Sequence, residues 1–200
     1  TNGTTASSDN SLIAGAVYVY TRSGTSWSQQ AYIKAANAGH TDTFGKGISL
    51  SDDTLAVISP RESSNQTTIT NGTSASSNNS CTSTSVVCDK EHSGAIYVYK
   101  RSGTSWAQEA YIKAANSDST DGGNSSVSLD GDTLAVGAPI EDSNQTTITN
   151  GTSASSDNSN SGSGAVYVYK RSGTTWAQEA YIKAINNDTG GDLFGASVSL

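Results

Sequence analysis

The chain contains few of the residues that most enzymes, nucleic-acid-binding proteins and membrane spans require. Among 200 residues there are two histidines, two cysteines, two prolines and no methionine. The net charge of −7 argues against a nucleic-acid partner, because phosphate binding requires a basic surface. No apolar run approaches the ~18 residues of a membrane-spanning helix. No nucleophile elbow, phosphate-binding loop or metal-ligand motif occurs, so we expect a protein that is not an enzyme.

Instead, one segment of about 21 residues occurs three times in the chain. Residues 15–35, 94–114 and 164–184 are near-identical, and each contains a GA(V/I)YVY and an AYIKA segment. Residues 64–77 (SNQTTITNGTSASS) are repeated without change at 143–156. Such self-similarity indicates a repeat protein, whose units bury their apolar faces against one another.

We divide the chain into three repeat units that together form one array. The units are residues 1–69, which start within a loop, residues 70–148, and an incomplete third unit at 149–200. The partners expected for these units are copies of the chain itself or flanking repeats, and the given sequence is expected to be a window on a longer array or a subunit of an assembly.

Each unit carries two predicted β-hairpins. In the first, Ala16, Tyr18 and Tyr20 alternate with Val17 and Val19, and both sets are apolar or aromatic, which is typical of a strand covered on both faces. The turn RSGT joins this strand to a second alternating segment that begins at the tryptophan. The second hairpin joins residues 126–129 to 133–138 through Asp-Gly. Four strands per unit are therefore predicted, with almost no helix.

Several of these segments resemble the FG-GAP repeat. They are Phe44-Gly45, Phe194-Gly195 and residues 134–139 (LAVGAP). The resemblance implies an all-β fold of tandem four-stranded antiparallel blades of the β-propeller type, as in integrin α-subunits and many bacterial and algal surface proteins. The chain holds fewer than three blades, so a longer propeller, a ring shared by several chains and an open filament all remain possible. The chain departs from the pattern at Gly123-Asn124 and at residues 58–60 (ISP).

The resemblance also raises the question of calcium. Integrin-type blades often carry a DxDxDGxxD loop before the Leu-x-Val-Gly-Ala-Pro strand, but this chain has only Asp130 and Asp132 around Gly131. Two carboxylates on a tight turn cannot surround an ion that takes six to eight oxygen ligands. We therefore expect no cofactor and interpret these acids as exposed turn residues, with a calcium site as the weaker alternative.

Two cysteines and eight glycosylation sequons lie mainly in the polar loops. Cys81 and Cys88 are predicted to form a disulfide, which requires an oxidising compartment, and two free thiols are the alternative. The sequons are at Asn2, Asn65, Asn71, Asn78, Asn124, Asn144, Asn150 and Asn187. Glycan carriers and bare flexible loops are both compatible with this composition.

The aromatic residues have two possible roles. Trp27, Trp106 and Trp176 recur once per unit, which is typical of side chains packed between neighbouring sheets, although a sugar-stacking surface is also possible. The function predicted from the sequence is that of an extracellular or cell-surface structural or adhesive protein, glycosylated, and possibly a filament subunit. The alternative is a propeller module that binds carbohydrate or protein.

Overall fold

Alternating apolar residues produce β-strands throughout the part of the chain that the structure describes. The structure is a computed structural model that describes residues 13–64, 66–76, 92–118, 121, 123–188 and 191–200. Within these residues every regular element is a strand, and no helix occurs. The all-β prediction is confirmed.

The strands form one hairpin and two five-stranded sheets, all with antiparallel pairing. The N-terminal hairpin consists of β1 (Val17–Ser23) and β2 (Ser26–Ile33). The first sheet consists of β3 (Gly47–Ser51), β4 (Thr54–Ser59), β5 (Ile69–Asn71), β6 (Ala95–Ser102) and β7 (Ser105–Ile112). The second sheet consists of β8 (Ser126–Asp130), β9 (Thr133–Ala138), β10 (Ile148–Asn150), β11 (Ala165–Ser172) and β12 (Thr175–Ile182).

The two sheets have the same topology. Their spatial orders are β3-β4-β6-β7-β5 and β8-β9-β11-β12-β10. The predicted hairpins are present as β8–β9 and as the pairs β1–β2, β6–β7 and β11–β12. Each of these last three pairs shifts register at the same place, after Val19, Val98 and Val168 respectively. Equal sequence has therefore produced equal backbone, including a local bulge.

Each sheet has five strands where the sequence predicts four, because the polar loop contributes one more strand. β5 and β10 are both Ile-Thr-Asn, and they pair with the outer strands β7 and β12. The first sheet spans 47–112 and the second 126–182, so the predicted unit boundaries at 69/70 and 148/149 fall inside β5 and β10. The sheets and the sequence repeat have the same period, but they start at different points within it.

Each sheet has an aromatic face and an aliphatic face, because neighbouring residues of a strand point to opposite sides. In β6, Tyr97 and Tyr99 pack with residues of the N-terminal hairpin, whereas Ile96 and Val98 pack with the second sheet. The aromatic face of the second sheet, with Tyr167 among its residues, covers that aliphatic face. The hairpin and the two sheets are therefore stacked face to face, each aromatic face against the copy before it, as in neighbouring propeller blades.

Candidate functional site

Each sheet contains a buried ion pair at the end of its central strands. Lys113 Nζ lies 2.9 Å from Glu62 Oε2, and Lys183 Nζ lies 2.5 Å from Glu141 Oε2. All four side chains have no solvent exposure. Removing two charges from water is costly unless each is paired and its remaining hydrogen-bonding positions are filled.

Hydroxyl and amide groups fill those remaining positions. Around the second pair, Lys183 Nζ also donates to Ser163 Oγ at 2.6 Å. Glu141 Oε1 accepts hydrogen bonds from Tyr181 Oη at 2.7 Å and from Asn116 Nδ2 at 2.8 Å. The first pair is arranged in the same way, with Lys113 donating to Ser93 Oγ at 2.7 Å. We call these two sets of residues the buried ion-pair clusters.

The ion-pair clusters tie each sheet to the copy before it. Asn37 follows β2, and its Nδ2 donates to Glu62 Oε1 at 3.0 Å, while its Oδ1 accepts from Tyr97 Oη at 2.5 Å. Asn116 has the same role towards Glu141 and Tyr167. Burial, with the nearby Glu62 carboxylate, raises the pKa of Tyr97, so the phenol stays protonated and remains a donor. One asparagine per copy therefore connects successive sheets through buried hydrogen bonds.

A titratable aspartate lies beside the second cluster. Asp121 is 5% exposed, and its Oδ2 accepts the backbone N–H of Asp118 at 3.1 Å. Its Oδ1 has no hydrogen-bond partner among the described residues. Burial, followed by the neighbouring Asp118 carboxylate, raises the pKa of Asp121 to about 7. This carboxyl group therefore changes charge near neutral pH.

A second set of contacts joins the outer strands of the two sheets. Asn71 Oδ1 accepts the backbone N–H of Trp176 at 2.8 Å, and Glu109 Oε2 accepts the Trp176 indole N–H at 3.0 Å. Arg171 Nη1 is 3.2 Å from Glu109 Oε2, and its guanidinium carbon lies 5.4 Å from the Trp176 ring centre. Trp176 is 1% exposed, so its ring is packed away from solvent, and both of its N–H groups donate hydrogen bonds to the first sheet.

Serine side chains join the inner strands. Ser49 Oγ accepts the backbone N–H of Leu129 at 3.0 Å, and Ser51 Oγ accepts that of Gly131 at 3.1 Å. Ser128 Oγ accepts the N–H of Leu200 in the same manner, at 3.0 Å. The same bond therefore recurs one copy further along the chain.

A cavity of about 270 Å³ lies between the two sheets near these outer contacts. Ile69, Ala115 and Ala177 contribute apolar wall, and Thr67 and Thr68 contribute hydroxyls. Tyr169, which is 1% exposed, also lines the cavity, and its hydroxyl has no hydrogen-bond partner in the described part of the chain. The equivalent Tyr99 hydroxyl donates to the Lys34 carbonyl oxygen at 3.4 Å.

The comparison with protein families identifies the repeated unit. Residues 27–76, which include most of β2 and the whole of β3, β4 and β5, match the model of the FG-GAP repeat. This segment is an FG-GAP repeat. Residues 106–155, which run from β7 past the end of β10, are similar in sequence to this segment one copy later. No match was found among curated proteins.

FG-GAP repeats form β-propeller-type sheets and are typical of extracellular and surface proteins. In the described ranges of this chain, no helix is long and apolar enough to cross a bilayer. Over those ranges, no three His, Cys, Asp or Glu side chains form a group suited to a metal ion.

The two weak calcium candidates occupy an exposed hairpin turn. Asp132 Oδ1 accepts from Arg171 Nε at 2.7 Å and lies 2.7 Å from Arg171 Nη2. In the first copy Asp53 pairs with Arg101 in the same way. Asp130 is exposed at the end of β8. Asp132 therefore has a structural role, because it holds the arginine that packs on Trp176.

The structure separates the described sequons by accessibility. Asn71, Asn144 and Asn150 are exposed. Asn124 is 4% exposed, and Asn187 Nδ2 donates to the carbonyl oxygens of Ser143 and Gln145, both at 3.0 Å. The side-chain amides of Asn71 and Asn144 are also bonded within the fold, because Asn71 binds the Trp176 backbone and Asn144 Nδ2 donates to Ser159 Oγ at 2.8 Å. A glycan therefore fits the exposed Asn150 most readily.

Four of the predicted sites involve residues that the structure does not describe. Asn2, Asn65, Asn78 and the predicted Cys81–Cys88 disulfide lie outside the described residues.

The prediction of tryptophan packing is confirmed for Trp106 and Trp176, which are 8% and 1% exposed, whereas Trp27 is 66% exposed. Glu62 and Glu141 resemble surface charges in the sequence, but both are buried against lysines. A glutamate that recurs once per copy near a recurring AYIKA lysine was the signal available in the sequence. It was missed because the two lie more than 40 residues apart.

The described part of the copied loop makes specific hydrogen bonds. Gln66 Nε2 donates to the Thr68 carbonyl and to Thr70 Oγ1, both at 2.8 Å, and Gln145 makes the same bonds in the next copy. Gln108 Nε2 donates to the carbonyls of Gly72 and Ser74. The loop is therefore held to its sheet by specific side chains, which gives a structural reason for its exact repetition.

Proposed function

We propose that this FG-GAP protein is an extracellular structural or adhesive protein whose role is mechanical and involves no catalytic step. The observation that carries the proposal is the repeated junction between copies. The same asparagine, tyrosine and serine bonds join successive sheets, and both ion-pair clusters are closed to solvent. In such a junction, buried polar groups bond one copy to the next. This arrangement suits an array of copies that bears mechanical load.

The proposed array is a filament, in which head-to-tail contacts continue without closing into a ring. Electron microscopy of the native material should then show fibres whose axial repeat corresponds to a whole number of FG-GAP units. Discrete closed rings would contradict the filament and would favour a propeller. A matched control is the same preparation of a Lys183→Met variant, which weakens a junction-linked cluster and should shorten or abolish the fibres.

The proposed glycan is carried by the exposed Asn150. Enzymatic release of N-glycans in ¹⁸O-water, followed by peptide mapping, should mark Asn150 as aspartate. Asn71, Asn124 and Asn187 should remain unmarked and serve as internal controls, because their side chains are buried or hydrogen-bonded in the fold. An intact mass equal to the 20.5 kDa of the bare polypeptide would exclude N-glycans on this sequence.

A second candidate function is that of a binding module, and the cavity beside Tyr169 is the observation that favours it. Its apolar wall and unpartnered phenol suit a small uncharged ligand with a hydrogen-bond acceptor, such as a sugar. Saturation-transfer NMR with a panel of monosaccharides should detect binding that is lost in Tyr169→Phe and kept in Tyr99→Phe. Equal spectra for all three proteins would reject the site.

A further inference from the structure

The two junctions between successive copies differ at equivalent positions. Ile58 in β4 corresponds to Gly137 in β9, and Gly47 in β3 corresponds to Ser126 in β8. In the copy that follows each of these strands, Gly123-Asn124 corresponds to Phe194-Gly195. Both departures from the FG-GAP pattern, at Ile58 and at Gly123-Asn124, therefore belong to the first junction.

In the second junction, the Phe-Gly turn rests directly on Gly137. A Cβ atom on Gly137 would lie 1.8 Å from the carbonyl oxygen of Gly195, a backbone atom. Ser126 Oγ donates to that same oxygen at 2.9 Å. The turn is closed by the N–H of Ala196, which donates to the Leu193 carbonyl at 3.1 Å. Position 137 therefore accepts no side chain while the Phe-Gly turn is in place.

In the first junction, the corresponding space is filled by the preceding copy. Ile58 has no solvent exposure, and a Cβ atom on Gly47 would lie 2.7 Å from Ile58 Cδ1. The following copy places Gly123, with φ of 68°, against Pro60, where a Cβ atom would lie 2.0 Å from the Pro60 carbonyl oxygen. A phenylalanine at position 123 could not occupy this position, because both its φ and its side chain are excluded.

We propose that these residues form two matched sets that determine which copy can follow which. A copy that begins with a Phe-Gly turn docks on a preceding copy with Ser126 and Gly137. A copy that begins with Gly-Asn docks on a preceding copy with Gly47 and Ile58. The junctions are not interchangeable, so the copies join in a fixed order.

The same rule defines the partner for the first copy. Phe44-Gly45 forms the turn seen at Phe194-Gly195, since the Lys46 N–H donates to the Thr43 carbonyl at 3.1 Å. The unit that fits before this turn, in the same chain or in another, is one with serine and glycine at the positions of Ser126 and Gly137. This inference concerns how units recognise one another and holds whether or not the array is adhesive.

The test is a mutant cycle that converts the second junction into the first. Gly137→Ile alone should lower the midpoint of thermal unfolding by about 4–8 °C, since it overpacks a filled site. The triple change Ser126→Gly, Phe194→Gly and Gly195→Asn should also lower it. All four changes together should recover at least half of the loss caused by Gly137→Ile.

Additive losses in the four-residue variant would overturn the proposal. If Gly137→Ile alone fails to fold, recovery of folded protein by the four changes supports the matched sets, and failure to recover refutes them. The control is the reverse conversion at the first junction. There Gly47→Ser, Gly123→Phe and Asn124→Gly should raise the midpoint of an Ile58→Gly variant.

Discussion

The buried ion pair between Glu141 and Lys183 offers a direct test of how this fold is stabilised. Both side chains have no solvent exposure, and the Lys183 Nζ–Glu141 Oε2 distance is 2.5 Å. Replacing Lys183 by methionine keeps most of the side-chain volume but leaves the glutamate buried without a countercharge. We expect the free energy of unfolding to fall by about 3–5 kcal/mol. With a urea m-value of about 2–3 kcal/mol/M, the unfolding midpoint should fall by about 1–2.5 M.

The double variant distinguishes charge from packing. Adding Glu141→Gln removes the unpaired charge while an amide still accepts from Tyr181 and Asn116. The double variant should therefore lie within about 1 kcal/mol of the wild type. Urea unfolding followed by tryptophan fluorescence measures both, and Lys46→Met, at an exposed position, is the control. A loss below about 1 kcal/mol for Lys183→Met, or a double variant as unstable as the sum of its parts, would refute the reasoning.

Three further predictions follow from the junctions and from Asp121. The pKa of Asp121 is raised to about 7 in the folded state, whereas an unfolded aspartate releases its proton near pH 4. The free energy of unfolding should therefore fall as the pH rises from about 4 to about 7, by at most about 4 kcal/mol. Asp121→Asn should flatten that part of the pH–stability curve, and an unchanged curve would contradict the assignment. Asn71→Ala removes the bond to the Trp176 backbone and should cost about 1 kcal/mol in urea unfolding, whereas Asn150→Ala, at the equivalent exposed position, should cost less. Gly164→Ala should lower the thermal unfolding midpoint more than Gly173→Ala. Both glycines have positive φ, but only a Cβ at Gly164 would meet backbone, 2.2 Å from the Phe194 carbonyl oxygen. Equal losses would show that the contact with Phe194 is unimportant.

Local patterns account for the part of the fold that could be predicted. The alternation in Gly-Ala-Val-Tyr-Val-Tyr determines a strand with two apolar faces whatever surrounds it, because side chains of a strand alternate between faces. The turns RSGT and Asp-Gly place the hairpins for the same local reason. Repetition of these segments was sufficient to predict equivalent units packed through their tyrosines and tryptophans.

The partners of the polar groups were decided by tertiary structure alone. Glu141 and Lys183 look like ordinary surface residues in the sequence. Only the pairing of β11 and β12 with β9 in one sheet brings them together and excludes water. Ile-Thr-Asn is too short to predict as a strand, and it becomes one because β7 and β12 offer unpaired edges. Whether Ile58 and Gly123 fit their positions also depends on which copy packs against which. Local sequence therefore determined the strands and their apolar faces, whereas charge burial and the matching of neighbouring copies arise from contacts between residues far apart in the chain.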